Sequence, residues 1–187
     1  MRKKDDEKVR SIKEAVIKLI LQEGFHGTSV SKIAKMAGVS PATVYIYFEN
    51  KEDMLHDIYL EYSEEIYDYL LQSIEKETNG ARIIEILMRS YYNYILDNKE
   101  EFSFVDQFSN CPSLANRCSG KRGICKIYHL IREMKQSQTL KNYQDDNLVA
   151  LLFQPVKAIA VDHRRDEKQK EELLSEMILV IQKAILI

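Results

Sequence analysis

Proline and glycine are scarce in this 187-residue chain, with three of the former and six of the latter. So few turn residues exclude an all-β protein. Together with many Leu, Ile, Glu, Lys and Ala they point to helices joined by short turns. Cysteine is scarce too, and three in all is an odd number at low density that fits a reducing compartment better than a disulfide scaffold. No charge-free apolar stretch reaches the roughly 18 residues of a membrane span. The start, Met1 to Glu7, runs into a segment carrying Lys13, Glu14 and Lys18 where a signal peptide would have its apolar core. These absences set the expectation of a soluble, cytoplasmic, all-α protein with no membrane partner.

An excess of charge of one sign is also missing. The chain sets 27 Lys and Arg against 29 Asp and Glu, a formal net charge of −2, which excludes a globally basic nucleic-acid coat and leaves local basic faces open. Residues 1–55 hold 10 cations and 8 acids, and residues 56–187 hold 17 and 21, so the acidity belongs to the later part. Apolar residues make up 45%, enough for a real core and too many for a disordered chain. Catalytic signals are absent as well. His26, His56, His129 and His163 are scattered, and there is no glycine-rich phosphate loop, no Cys-x-x-Cys spacing and no nucleophile in a recognisable setting. The expectation is a non-enzyme with no metal and no cofactor.

What is present is helical periodicity. Ile12, Val16, Leu19 and Ile20 recur at helical spacing, and Gly24 stands where a left-handed stop is wanted. Thr28 can cap a short second helix with Val30, Ile33, Ala34 and Ala37 on one face, ended by Gly38. Ser40-Pro41 then supplies an N-cap with proline at the first helical position. Longer helices follow from Lys51 to about Thr78, where Asn79-Gly80 breaks the pattern, and from about Ala81 to Asp97. A short one is expected over Lys99–Asn110, and another reaching Gln136, its first half weakened by Gly120 and Gly123. The last two run over about Asp145–Asp162, where Pro155 should introduce a kink, and Asp166–Ile185.

Residues 28–48 carry the function. A helix-turn-helix needs a short first helix, a glycine-bearing turn and a second helix whose N-terminus meets the major groove, and all three occur here in order. In the second helix Val44 and Phe48 are four apart and face inward with Val39. Ala42, Thr43 and Ile46 then point outward, with Tyr45 and Tyr47 on the flanks.

The string Thr28-Ser29-Val30, Ile33-Ala34, Ala37-Gly38-Val39-Ser40, Thr43-Val44-Tyr45, Tyr47-Phe48 and Asn50-Lys51-Glu52, with Leu55 opening the next helix, resembles the TetR/AcrR family of bacterial transcriptional regulators. The likeness covers about residues 8–56, and the remainder agrees only in length and helical plan. The resemblance implies a homodimer, each subunit having a three-helix DNA-binding head, residues 1–50, and a helical ligand-binding and dimerisation body, residues 51–187. It implies phosphate contacts at Thr28, Ser40, Tyr45, Tyr47 and Lys51, and base reading at Pro41, Ala42, Thr43 and Ile46. These readers are mainly small or apolar, with no Arg or Asn for bidentate contacts, so specificity is expected to rest partly on methyl contacts and DNA shape. Arg2, Lys3 and Lys4 form either an arm reaching the duplex or a solvated tail.

By the same resemblance the last two helices pair with their symmetry mates through Leu148, Leu152, Ile159, Leu174, Met177, Ile178, Ile181 and Ile185. The other reading of that stripe is intramolecular core. A ligand neighbourhood is expected among Tyr62, Ile66, Met88, Tyr91, Tyr92, Phe104, Phe108, Tyr128, His129 and Phe153, where each residue alone also reads as ordinary core. Cys111, Cys118 and Cys125 recur at seven-residue steps with His129 four beyond, as a thiol sensor or as plain buried residues. The function implied is a dimeric repressor released from a pseudo-palindromic operator by an apolar or aromatic small molecule. The alternative is a body of the same fold that recruits a protein partner.

Overall fold

The structure, a computed structural model, describes residues 2–109 and 122–187. The described residues form nine helices: α1 Arg2–Gly27, α2 Val30–Ala37, α3 Pro41–Tyr47, α4 Lys51–Ile74, α5 Gly80–Asp97, α6 Lys99–Ser109, α7 Arg122–Gln136, α8 Asp145–Ala160 and α9 Glu167–Ile185. They fall into two compact units. One holds α1 to α3, the start of α4 as far as Ser63, and α6. The other holds α4 from Glu64 onward, α5, and α7 to α9.

In the first unit α1 is the platform. Its Ile12, Ala15, Val16, Ile17, Leu19 and Ile20 are buried, and α2 and α6 pack on it while α3 packs on α2. Gly24 breaks the helical run at φ 73°, a left-handed value that glycine reaches without the Cβ penalty. Lys13 pairs with Glu61 and ties α1 to α4.

In the second unit α8 is the hub and packs against α5, α7 and α9. The ring of Phe153 meets Tyr91 edge-on, with centroids 5.0 Å apart. Gln182 Nε2 donates to the Ala81 carbonyl at 2.7 Å, and Arg89 reaches from α5 to Glu171 and Ser175 on α9. Asp166 and Gln169 form a reciprocal capping box at the start of α9, and the buried Lys170 donates from Nζ to the last-turn carbonyl of Ala160 at 2.9 Å. An isolated antiparallel bridge, Leu140 to Leu186, closes the end of α9 onto the α7–α8 connection.

Two expectations change here. Leu148, Leu152, Ile159, Leu174, Ile178, Ile181 and Ile185, expected between subunits, are buried within the second unit itself, and Met177 is half-buried. A helix apolar on more than one side gives its best-packed stripe to its own core. The outward apolar residues of this unit are others: Tyr69, Tyr143, Leu151, Val161, Leu179, Val180 and Ile187.

Gly123, in turn, is more than a weak point in a helix. It lies in the first turn of α7, buried, and a Cβ there would stand 2.7 Å from Tyr67 Cβ on α4. Its N–H donates to the Glu64 carboxylate at 2.9 Å, and Lys126 pairs with Asp68 one turn further along both helices, at 2.7 Å. Helix propensity alone would have Gly123→Ala stabilise the protein by up to about 1 kcal/mol. The contact with Tyr67 reverses the sign, and we expect a loss of about 1–3 kcal/mol, read as a lower urea midpoint with unchanged slope.

Candidate nucleic-acid interface

Each end of the α2–α3 pair is built by a specific hydrogen bond. Ser29 Oγ accepts from the Lys32 N–H at 3.3 Å and starts α2. Gly38 ends it at φ 69° and ψ 29°, and the Val39 N–H returns to the Ala34 carbonyl at 2.9 Å. Two residues later Ser40 Oγ accepts from the Thr43 N–H at 3.1 Å and also lies 2.8 Å from the Thr43 hydroxyl. Pro41 at the first position costs no hydrogen bond.

Burial then sorts the side chains of α3. Val44 and Phe48 are buried, while Ser40, Pro41, Ala42, Tyr45 and Ile46 are exposed and Thr43 and Tyr47 are half-buried. Ile46 is 75% exposed, an unusual setting for so apolar a side chain, and it leaves a bare methyl-rich surface beside Ala42. Residues 28–48 contain no acid and carry Lys32 and Lys35. Lys32 is held by Glu23 at 2.6 Å and the Gly27 carbonyl, whereas Lys35 lies exposed in the last turn of α2, a cation that the motif reading passed over.

Two of the residues expected at phosphates are occupied in the scaffold. Thr28 is buried, and its hydroxyl donates to the Gly24 carbonyl at 2.9 Å. The Lys51 ammonium donates to the carbonyls of Phe25 at 2.9 Å and Thr28 at 3.2 Å, and sits 3.9 Å above the Phe25 ring. Both side chains thereby hold the chain between α1 and α2. Tyr47 donates from its hydroxyl to Asp5 at 3.4 Å. Desolvation of the phenol, and then the Asp5 carboxylate, hold its pKa above the ordinary tyrosine value.

Residues 12–58 match the family described as bacterial regulatory proteins, tetR family. The chain belongs to that family. A TetR family transcription regulator from Marinobacter aquaeolei VT8 superposes with a TM-score of 0.83 at 25% identity, over 100% of this chain and 99% of that one. The fatty acid metabolism regulator protein of Bacillus subtilis is 30% identical over 88 residues, which are 47% of this chain and 45% of that protein. The transcriptional regulator FadR of Bacillus subtilis, solved in complex with stearoyl-CoA, shares the fold with a TM-score of 0.72 at 19% identity, over 90% of this chain and 97% of that one. The helix-turn-helix of this tetR-family protein is therefore a DNA-binding element in an all-α regulator.

The residues of the expected ligand neighbourhood divide between the two units. Tyr62, Phe104 and Phe108 belong to the first unit, where the two phenylalanine rings of α6 meet at a tilt of 53° with centroids 5.2 Å apart. Within the second unit Ile66, Met88, Tyr92 and Phe153 are buried and Tyr91 is half-buried. Tyr128 and His129 point elsewhere. Tyr128 donates to Asp146 at 2.5 Å across α7 and α8, a contact that pushes its pKa up to about 12. His129 is exposed and faces Glu133 on its own helix. Cys125 is exposed, while Cys111 and Cys118 lie outside the described residues. Among the described residues no three His, Cys, Asp or Glu side chains are grouped to hold a metal, and no helix is long and apolar enough to cross a membrane.

Because Lys51 secures two backbone carbonyls, Lys51→Met is expected to destabilise the DNA-free protein by about 1–2 kcal/mol. Lys35→Met, at an exposed site, should leave stability within about 0.5 kcal/mol. Thermal unfolding of the two variants against the parent checks the contrast.

Proposed function

We propose that this protein is a dimeric transcriptional repressor that binds a pseudo-palindromic operator and is released by a small molecule whose apolar part is held in its second unit. The observation that carries this reading is the face of α3. Pro41, Ala42 and Ile46 face solvent around a capped helix N-terminus with the half-buried Thr43 among them, and Ser40, Tyr45 and Tyr47 stand beside them as phosphate donors. A surface of methyls suits thymine, and a positive helix end suits phosphate. Thr28 and Lys51 support the frame that presents this face and are assigned there rather than to the duplex. Lys35 joins the phosphate contacts.

One reading head buries little surface, and two heads joined by a dimer multiply affinity on paired half-sites. The outward residues Leu151, Leu179 and Val180 of α8 and α9 offer a second copy the apolar face that the core stripe does not. A shallow groove of about 470 Å³ along α8, lined by Tyr143, Asn147, Ala150, Leu151, Gln154 and Pro155, lies on the same helix. The substitution Leu179→Glu is expected to convert the dimer to monomer in sedimentation velocity while the circular dichroism spectrum is retained. A dimer that persists in this variant, and in Leu151→Glu, removes this face from the interface.

For the ligand, the buried Met88, Tyr92 and Phe153, with Tyr91 edge-on to Phe153, are the apolar and phenolic side chains between which a ligand would have to open its site. The Bacillus subtilis matches named above are a fatty acid metabolism regulator and a FadR structure holding stearoyl-CoA, so a long-chain acyl thioester is the first ligand to assay. Helix α4 begins at Lys51 in the first unit and ends in the second, and a ligand that moves its latter half changes the setting of Lys51. Such a ligand acts only by binding the non-DNA conformation better than the DNA-bound one.

The test is nuclease protection across the DNA upstream of the protein's own and neighbouring genes. A protected pseudo-palindrome is expected, with affinity falling by orders of magnitude as salt rises from about 50 to 200 mM. Long-chain acyl-CoA should reverse the protection. Protection that no acyl-CoA reverses refutes the ligand, and no protected sequence at any salt refutes the function.

A further inference from the structure

Close to its start, after Arg2, Lys3 and Lys4, helix α1 carries a run of acids, Asp5, Asp6 and Glu7, in a unit whose proposed ligand is a polyanion. One of them touches the reading head. The Tyr47 hydroxyl at the end of α3 lies 3.4 Å from Asp5 Oδ1, and Lys8 Nζ lies 3.8 Å from the same carboxylate oxygen, so Asp5 stands between a phenol and an ammonium. We propose that Asp5 is a built-in competitor for phosphate: it occupies the Tyr47 hydroxyl and the Lys8 charge in the free protein and thereby sets a threshold that DNA must overcome. This inference rests on the DNA-binding reading above and names a residue that tunes it.

The chemistry is one of counting protons. A phenol has one O–H, and an ionised carboxylate and a phosphate diester are both acceptors only. While Tyr47 donates to Asp5 it has nothing to donate to DNA, and its oxygen lone pairs face a group that cannot donate back. A duplex phosphate arriving at this hydroxyl also meets the carboxylate charge at hydrogen-bond range, so the two anions exclude one another. The raised pKa of Tyr47 agrees with this arrangement, because desolvation first and the Asp5 carboxylate next both favour the neutral, donating phenol. Asp5 is also the acid in the first turn of α1, where it complements the helix dipole, so Asp5→Asn is read against Asp6→Asn and with helix content checked by circular dichroism. A phosphate-side brake of this kind acts on every sequence alike. It weakens binding to unrelated DNA, where only backbone contacts are available, below the level that matters, and leaves the operator to compensate through the base-facing side chains of α3.

The experiment compares Asp5→Asn with Asp6→Asn, the latter removing a charge that acts on the same phenol only through space. Affinities are measured on the protected operator and on an unrelated duplex of equal length. Asp5→Asn is expected to tighten both by roughly three- to tenfold, with Asp6→Asn giving clearly less. In a Tyr47→Phe background the gain from Asp5→Asn should shrink to that of Asp6→Asn. A second readout needs no DNA: in protein carrying ¹³C-labelled tyrosine, the Tyr47 ring resonance should titrate at lower pH in Asp5→Asn than in the parent. Unchanged or weaker DNA binding by Asp5→Asn, an equal gain from Asp6→Asn, or a full gain without the Tyr47 hydroxyl overturns the proposal, as does a Tyr47 titration that does not move. If the parent protein binds no duplex while the titration shifts as expected, the DNA reading fails and the competitor role falls with it, although the contact itself stands.

Discussion

One ammonium group closes the DNA-binding unit. Lys51 opens α4, yet its Nζ bonds to the carbonyls of Phe25 and Thr28, at the end of α1 and just before α2, over the face of the Phe25 ring. Those carbonyls follow the left-handed break at Gly24, where the helical ladder is lost and the backbone acceptors need other partners. Thr28 answers the Gly24 carbonyl and Lys51 answers two more. With the α1–α2 corner fixed in this way, α2 is held on α1 and α3 on α2, and the outward face of α3 has a definite direction.

Much of this unit was legible in the sequence because its signals are local. Gly38 adopts the left-handed backbone that its position suggests, Gly24 a positive φ with extended ψ that kinks α1 instead of ending it, Ser40-Pro41 caps α3, and Val44 and Phe48 turn inward while Ala42 and Ile46 turn outward. The roles of Thr28 and Lys51 were not legible, because a family contact list cannot show that a side chain is already bonded to its own backbone. Ser29, next to Thr28, is the residue whose side chain caps α2.

The second unit was legible only in outline. Helices over residues 80–97, 145–160 and 167–185 follow from periodicity, and the Asn79 cap and the Asp166 capping box mark two of their starts. Which apolar stripe of α8 and α9 faces inward depends on three neighbours at once, and periodicity is blind to that. The residues expected at the interface therefore coincide with the core stripe of the second unit, and periodicity gives no sign that Leu179 and Val180 are exposed. Two close approaches were equally invisible. A Cβ on Gly123 would meet Tyr67, and one on Gly80 would stand 2.2 Å from Thr139 Cγ2, so glycines that read as helix breakers are contact points between elements distant in sequence. Gln138 takes φ 56° after α7 with no glycine to announce the turn.

The brevity of α3 has a genetic consequence. Seven residues are far too few for a helix to stand alone in water, so its order comes from Ile33, Ala34 and the buried α1 face that holds it through α2. In an unbiased screen for regulators that no longer hold their operator, substitutions deep in that core would be recovered alongside those on the reading face. The two classes would look alike in a reporter assay and part company only on heating.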